Sequence, residues 1–233
     1  MTTAPRERAA PRPGPGRLLG CWHAAGLLFW RVIFTRLNRI DARGLEHLPA
    51  KDQGDVFILA NHVSAIDPFL IGVTAMPLFS PVWWRALAKS ELFARPLIGA
   101  LLRSWGALPV ERGRRDLAAI TALARGVQGS VLVAFPEGTR ATGGRLLPGR
   151  PGLGQLIYEA RPRAIIPAAI EGTDGILPKG RILPRLGRTA RIVYGRPVDV
   201  SRFYALPASA ETSQLIIDEV MRAIAALQTT EHP

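Results

Sequence analysis

Residues 55–70 read DVFILANHVSAIDPFL. An apolar run stops abruptly at Asn61-His62, and Asp67-Pro68 follows after the interval Val63-Ser64-Ala65-Ile66. A short continuous apolar run has the pattern of a strand buried on both faces. Asp-Pro is a helix-start pair, with aspartate suited to the N-cap and proline to the first helical position. The segment therefore reads strand, short turn, helix, the opening of a βαβ unit.

The same alternation continues along the chain. Further strand candidates are 82–88, 107–110, 130–135, 164–170 and 190–194, beside 55–60 itself. Helix candidates are 68–75, 91–104, 114–126, 152–160 and 211–227. This pattern predicts an α/β fold: a single domain with a central mixed, largely parallel sheet flanked by helices. The length of 233 residues suits one domain with its own core. In such sheets the strand carboxyl ends and the loops after them form the site.

That rule puts His62 just beyond a strand end. Asp67 does not share a helix with it, since five helical residues would turn the two side chains apart. The turn between them can instead fold the carboxylate back towards the imidazole. A carboxylate bonded to one ring nitrogen fixes the tautomer and leaves the other nitrogen to take a proton from a hydroxyl. Ser64 is the one hydroxyl in the turn, and Val-Ser-Ala lacks the glycines of a nucleophile elbow. Direct attack by a substrate alcohol is thus the simpler scheme, with His62 as base and no covalent enzyme intermediate. The plainer reading is that Asp67 caps a helix and His62 is a loop residue.

Three further segments end strands in the same way: GALPVERG at 106–113, SVLVAFPEGTRAT at 130–142 and AIIPAAIEGT at 164–173. If all end at the edge that holds His62, Arg112 and Arg140 bring two guanidinium forks near it. Such forks match a phosphate bidentately. Gly138 would let backbone approach a ligand closely.

The flanks are basic and apolar. Lys+Arg total 30 against 18 Asp+Glu, a net charge of +12, which implies an anionic partner. Residues 1–16 are rich in Pro, Gly, Ala and Arg and read as a disordered tail. Residues 17–38 follow as an apolar helix interrupted by His23 and Arg31. Trp22, Phe29 and Trp30 suit a membrane interface, and Arg17, Arg31, Arg36 and Arg39 suit anionic headgroups. A core helix packed on the domain is the competing reading. The single cysteine, Cys21, allows no internal disulfide and reads as a buried structural thiol. Residues 177–188, LPKGRILPRLGR, form a basic loop.

Four blocks in order, NHVSAID at 61–67, GALPVER at 106–112, FPEGTR at 135–140 and IIPAAIEGT at 165–173, give the chain its resemblance to the glycerolipid acyltransferases. It is most similar in pattern to the 1-acylglycerol-3-phosphate O-acyltransferases, over about residues 40 to 200. The resemblance implies an acyltransferase domain at 39–230. It implies His62 as general base, Asp67 as its orienting partner, and Arg112 with Arg140 as phosphate anchors. Glu137, Gly138 and Thr139 belong by the same resemblance to the acceptor site, and Pro167 to an apolar wall near the acyl chain. Two positions depart from the common pattern, Ala141 after FPEGTR and Glu111 before Arg112, and both bear on acceptor identity. The implied partners are membrane lipids, a lysophospholipid acceptor and acyl-CoA or acyl-carrier protein, at the cytoplasmic face as a peripheral or monotopic protein. No metal or cofactor and no nucleic acid are expected. A Ser64 hydrolase, a metal enzyme and a basic membrane-surface or nucleic-acid-binding protein are the rivals.

Overall fold

The structure, a computed structural model, describes residues 10–111, 117–141 and 145–229. In chain order the elements are α1 (Arg17–Thr35), β1 (Arg39–Arg43), β2 (Val56–Ala60), α2 (Asp67–Ala75), β3 (Trp84–Lys89), α3 (Ser90–Phe93), α4 (Pro96–Ser104), β4 (Ala107–Val110), α5 (Leu117–Val127), β5 (Val131–Ala134), α6 (Pro151–Ala160), β6 (Ala164–Glu171), α7 (Thr173–Ile176), β7 (Thr189–Tyr194) and α8 (Ala210–Thr229). Short 3-10 turns stand at Leu45–His47 and Ser201–Ala205.

The strands form one mixed sheet in the order β1-β7-β6-β2-β5-β3-β4. The run β6-β2-β5-β3-β4 is parallel throughout, while β7 is antiparallel to β6 and β1 is parallel to β7. The apolar runs are continuous because both faces of the sheet are covered. Successive side chains alternate between two cores, as a period of two requires. Val56, Ile58 and Ala60 join Phe34, Leu70 and Ile71 beneath α1 and α2. Phe57 and Leu59 join Leu156, Ile217 and Ile224 beneath α6 and α8.

Chain direction follows from these two layers. The connection from β2 towards β3 crosses on the α2 face, and the connection from β5 back to β6 crosses on the α6 face. Opposite directions on opposite faces keep one crossover hand, in line with the rule for parallel units. The direction of connection therefore reverses between β2 and β5, and in such sheets the site is expected at the strand carboxyl ends.

Several boundaries differ from expectation. The helix expected over 91–104 is split, because Pro96 starts α4 and holds Arg95 in an extended conformation. β1 carries charge where an apolar run was the cue: Asp41 pairs with Arg43 and Arg191 at 3.1 and 3.0 Å, which suits an edge strand. The Arg43 hydrogen bond, with Arg191 adding to it, holds the Asp41 carboxyl below its usual range. Residues 10–16 are not a free tail. Arg12 donates to Gly129 O and Gly14 to Pro81 O, fastening them across the start of β3. Cys21 is exposed rather than buried.

α1 packs one side on the domain and leaves an apolar side exposed. Gly20, His23, Ala24, Leu27 and Phe34 face the domain. There Trp30 stacks on Phe69 of α2 at 4.5 Å, and His23 Nε2 donates to Ser104 O. Leu18, Trp22, Phe29 and Val32 face outward. The helix is long and apolar enough to cross a membrane by length and composition.

The tightest helix contact gives a stability test. A Cβ on Gly154 of α6 would collide with the backbone carbonyl of Ser213 in α8, whereas one on Gly152 meets nothing within 4 Å. Gly154→Ala should lower the urea-unfolding free energy by about 1–3 kcal/mol. Gly152→Ala should leave it unchanged or raise it by up to about 1 kcal/mol.

Candidate active site

The turn after β2 is built around one buried carboxylate. Asp67 starts α2, yet its side chain does not cap that helix as expected; Ile66 holds the N-cap position. The carboxylate turns back instead. Its Oδ2 accepts from the backbone N–H of Val63 at 2.8 Å and of Ser64 at 2.9 Å, and from His62 Nδ1 at 2.8 Å. Its Oδ1 accepts from the Thr173 hydroxyl at 2.5 Å. Asp67 is fully buried, while the His62 side chain keeps 19% of its surface exposed. With every neighbour donating, the carboxylate is the acceptor towards His62, so Nδ1 carries the proton. Nε2 then presents its lone pair and has no protein partner among the described residues.

The neighbouring strands hold this turn. Asn61 extends the ladder of β2 with its side chain, donating to Ile170 O at 2.9 Å and accepting from Ile170 N at 2.6 Å. Phe135, at the end of β5, stacks on the imidazole at 4.1 Å between centroids and 19° between planes. The turn Phe135-Pro136-Glu137-Gly138 closes with Gly138 N donating to Phe135 O at 3.0 Å. Proline suits its second position, and Gly138 leaves it with φ of +67°, a conformation costly for other residues.

Two bonds stitch the turns to each other. Glu137 Oε1 accepts from His62 N at 2.7 Å, and Ala141 N donates to His62 O at 2.7 Å. Glu137 Oε2 accepts from Leu147 N at 2.9 Å. Burial pushes the Glu137 carboxyl above its usual range, opposed by these two N–H donors. Glu137 is itself buried, so it shapes the site from inside the backbone frame.

The other expected residues fall as follows. Arg140 is half-buried and makes no ion pair among the described residues. Thr139 is exposed beside it. The backbone N–H groups of His62, Val63 and Ser64 are all committed, whereas those of Thr139 and Arg140 have no partner among the described residues. Arg112 lies outside the described residues; β4, which precedes it, ends at the same sheet edge, three strand spacings or roughly 14 Å from β2. Pro167 is buried within β6 opposite Leu59, three residues before His62. Its carbonyl accepts from Gly195 N at 2.8 Å at the very end of the β7 ladder, where a missing proline N–H costs little. A Cβ on Gly195 would meet the proline ring at 2.9 Å and Leu227 of α8 at 3.1 Å. Pro167 is therefore core on the α8 face, not an open wall.

Ser64 is buried, and its hydroxyl donates to Leu177 O at 2.8 Å, so it is not paired with His62. His23 lies stacked between Trp83 and Trp105, and His47 Nδ1 bonds Tyr194 O. Sequence reasoning missed Asn61 and Thr173. Thr173 had one visible signal: it follows Glu171-Gly172 at the end of the strand that pairs with β2.

An acyltransferase family model matches residues 39–171, more than half of the chain. A 1-acyl-sn-glycerol-3-phosphate acyltransferase of Bacillus subtilis is 28% identical over 76% of this chain and 83% of its own length. A chloroplastic 1-acyl-sn-glycerol-3-phosphate acyltransferase of Arabidopsis thaliana is 27% identical over 77% of this chain and 49% of its own length. A second such chloroplastic protein, of Brassica napus, is 27% identical over 68% of this chain and 44% of its own. The chain thus spans about half the length of these plant relatives. The solved 1-acyl-sn-glycerophosphate acyltransferase of Thermotoga maritima matches with a TM-score of 0.65 and 25% identity, over 91% of this chain and 81% of that one. It shares the single α/β domain with a mixed, mostly parallel sheet and an apolar N-terminal helix. With a histidine-carboxylate pair at the carboxyl end of β2 in that sheet, the chain belongs to the acyltransferase family.

Proposed function

We propose that the protein moves a fatty acyl group from an acyl thioester to the free hydroxyl of 1-acylglycerol 3-phosphate, giving phosphatidic acid for phospholipid synthesis. The observation that carries the reading is an imidazole held by Asp67 with Nε2 unpaired among the described residues, its backbone carbonyl bonded by Ala141, the neighbour of the half-buried Arg140. The relatives named above act on this acceptor by their names, which supports it further.

Nε2 of His62 takes the proton of the acceptor hydroxyl as its oxygen attacks the thioester carbonyl. Asp67 stabilises the imidazolium that forms. The amides of Thr139 and Arg140, without a partner among the described residues, are the donors we assign to the oxyanion. Collapse expels the thiolate, which takes the proton from His62. A thioester is already activated, so the scheme needs no resident metal or cofactor. Arg140, together with Arg112, grips the phosphate of the acceptor as a bidentate partner.

The outward apolar stripe of α1 supports attachment to the membrane as a peripheral or monotopic protein, at the cytoplasmic face where acyl-CoA and acyl-carrier protein are supplied. Purified protein incubated with either donor and a panel of lysophospholipids and glycerol 3-phosphate, with products identified by mass, tests the assignment. Phosphatidic acid should dominate; preferential acylation of another acceptor overturns it.

His62→Ala should cut turnover by roughly 10²–10⁴-fold while near-UV circular dichroism stays native. Arg140→Ala should raise the acceptor KM by roughly tenfold to a hundredfold and leave the donor KM within about twofold in steady-state kinetics. Thr173→Val removes the hydroxyl that steadies Asp67. It should lower kcat by roughly threefold to tenfold at constant acceptor KM, with Thr173→Ser restoring it.

A further inference from the structure

The loop LPKGRILPRLGR, residues 177–188 between α7 and β7, has no part in the chemistry above. Its apolar side chains are turned to solvent: Ile182 is 91% exposed, Leu183 77% and Leu186 60%. Lys179, Arg181, Arg185 and Arg188 alternate with them, all exposed, and the segment contains no acidic residue. Among the described residues none of these four cations forms an ion pair.

The loop has a fixed root. Arg185 N donates to Ile176 O at 2.7 Å and Gly187 N to Leu37 O at 2.9 Å. Arg188 N donates to the Asn38 side chain at 2.9 Å, and Arg39 N to Arg188 O at 2.8 Å. The loop is thereby continuous with the carboxyl end of α1. At its other end Leu177 O receives the Ser64 hydroxyl of the His62 turn.

We infer that residues 177–188 are a second membrane contact, selective for anionic bilayers, in which Ile182, Leu183 and Leu186 enter the acyl boundary and the four cations bind lipid headgroups. The inference rests on the reading of α1 as lying on a membrane. Two observations favour a bilayer over an acidic protein. The cations match anionic headgroups, and the most exposed positions are aliphatic, which a lipid boundary rewards and a charged protein surface does not. The loop is also bonded through Gly187 and Arg188 to the segment that follows α1, the helix whose exposed residues are apolar.

Cys21 is the sole cysteine, so single-label experiments are direct. A solvent-sensitive fluorophore is placed on the full chain at Cys21, at Ile182→Cys in a Cys21→Ser background, or at Leu215→Cys in that background as a control on α8. Each protein is mixed with vesicles of phosphatidylcholine alone or of phosphatidylcholine with phosphatidylglycerol, and with acyl-carrier protein. The label at 182 should shift to the blue and become shielded from acrylamide only with the anionic vesicles, while the label at 215 stays unchanged. Replacing Lys179, Arg181 and Arg185 by Ser should weaken binding to those vesicles by roughly tenfold or more. Turnover of detergent-dispersed substrate should be unaffected and reports that the variant is folded. A response at Cys21 without one at 182 overturns the loop contact and leaves the α1 reading standing. No response at either site removes both. An equal response at 182 on phosphatidylcholine alone overturns the anionic selectivity. A response to acyl-carrier protein and not to vesicles replaces the bilayer with an acidic protein.

Discussion

Four donors meeting on one buried carboxylate organise the catalytic edge. Asp67 collects the imidazole, two backbone amides of its own turn and a hydroxyl from the end of β6. An isolated buried carboxylate is costly, and charge-assisted hydrogen bonds offset that cost. The turn after β2 therefore has little freedom: any rotation of Asp67 leaves a buried charge short of partners. Fixing the histidine and folding the turn are the same physical event.

The sheet supplies the rest. β2 and β5 are neighbours whose connections leave on opposite faces, so their following turns meet at one edge of the sheet. Glu137 accepts the amide of His62, Ala141 donates to its carbonyl, and Phe135 covers one face of its ring. Asn61 does the same work on the β6 side by acting as an extra strand residue. The motif residues Asn61 and Glu137 thus act on backbone, whereas Nε2 of His62 and the amides of Thr139 and Arg140 have no partner among the described residues.

Much of this was legible in the residues. The doubly buried strands announced themselves as apolar runs, and the His62-Asp67 spacing across a turn placed the pair correctly. Other features left no local trace. β1 exists because β7 pairs with it, and its Arg-Ile-Asp-Ala-Arg composition shows charge partners instead of periodicity. Asp67-Pro68 signals a helix start, but which way the carboxylate turns depends on Val63, Ser64 and Thr173 around it. Pro167 reads as apolar in sequence, yet only the register with Leu59 and Gly195 shows that it is sealed inside. Residues 10–14 look unstructured by composition and are held by amides that composition does not reveal.

The stack of Trp30 on Phe69 has a mechanical consequence. Phe69 lies two residues past Asp67 on α2, and Leu27 of α1 sits close enough to Gly72 that an added Cβ would meet it at 3.2 Å. α1 and α2 are therefore one stiff bracket. Such a bracket ties any displacement of α1 to the turn that carries the imidazole, so a load applied at the outer face of the first helix is felt at His62.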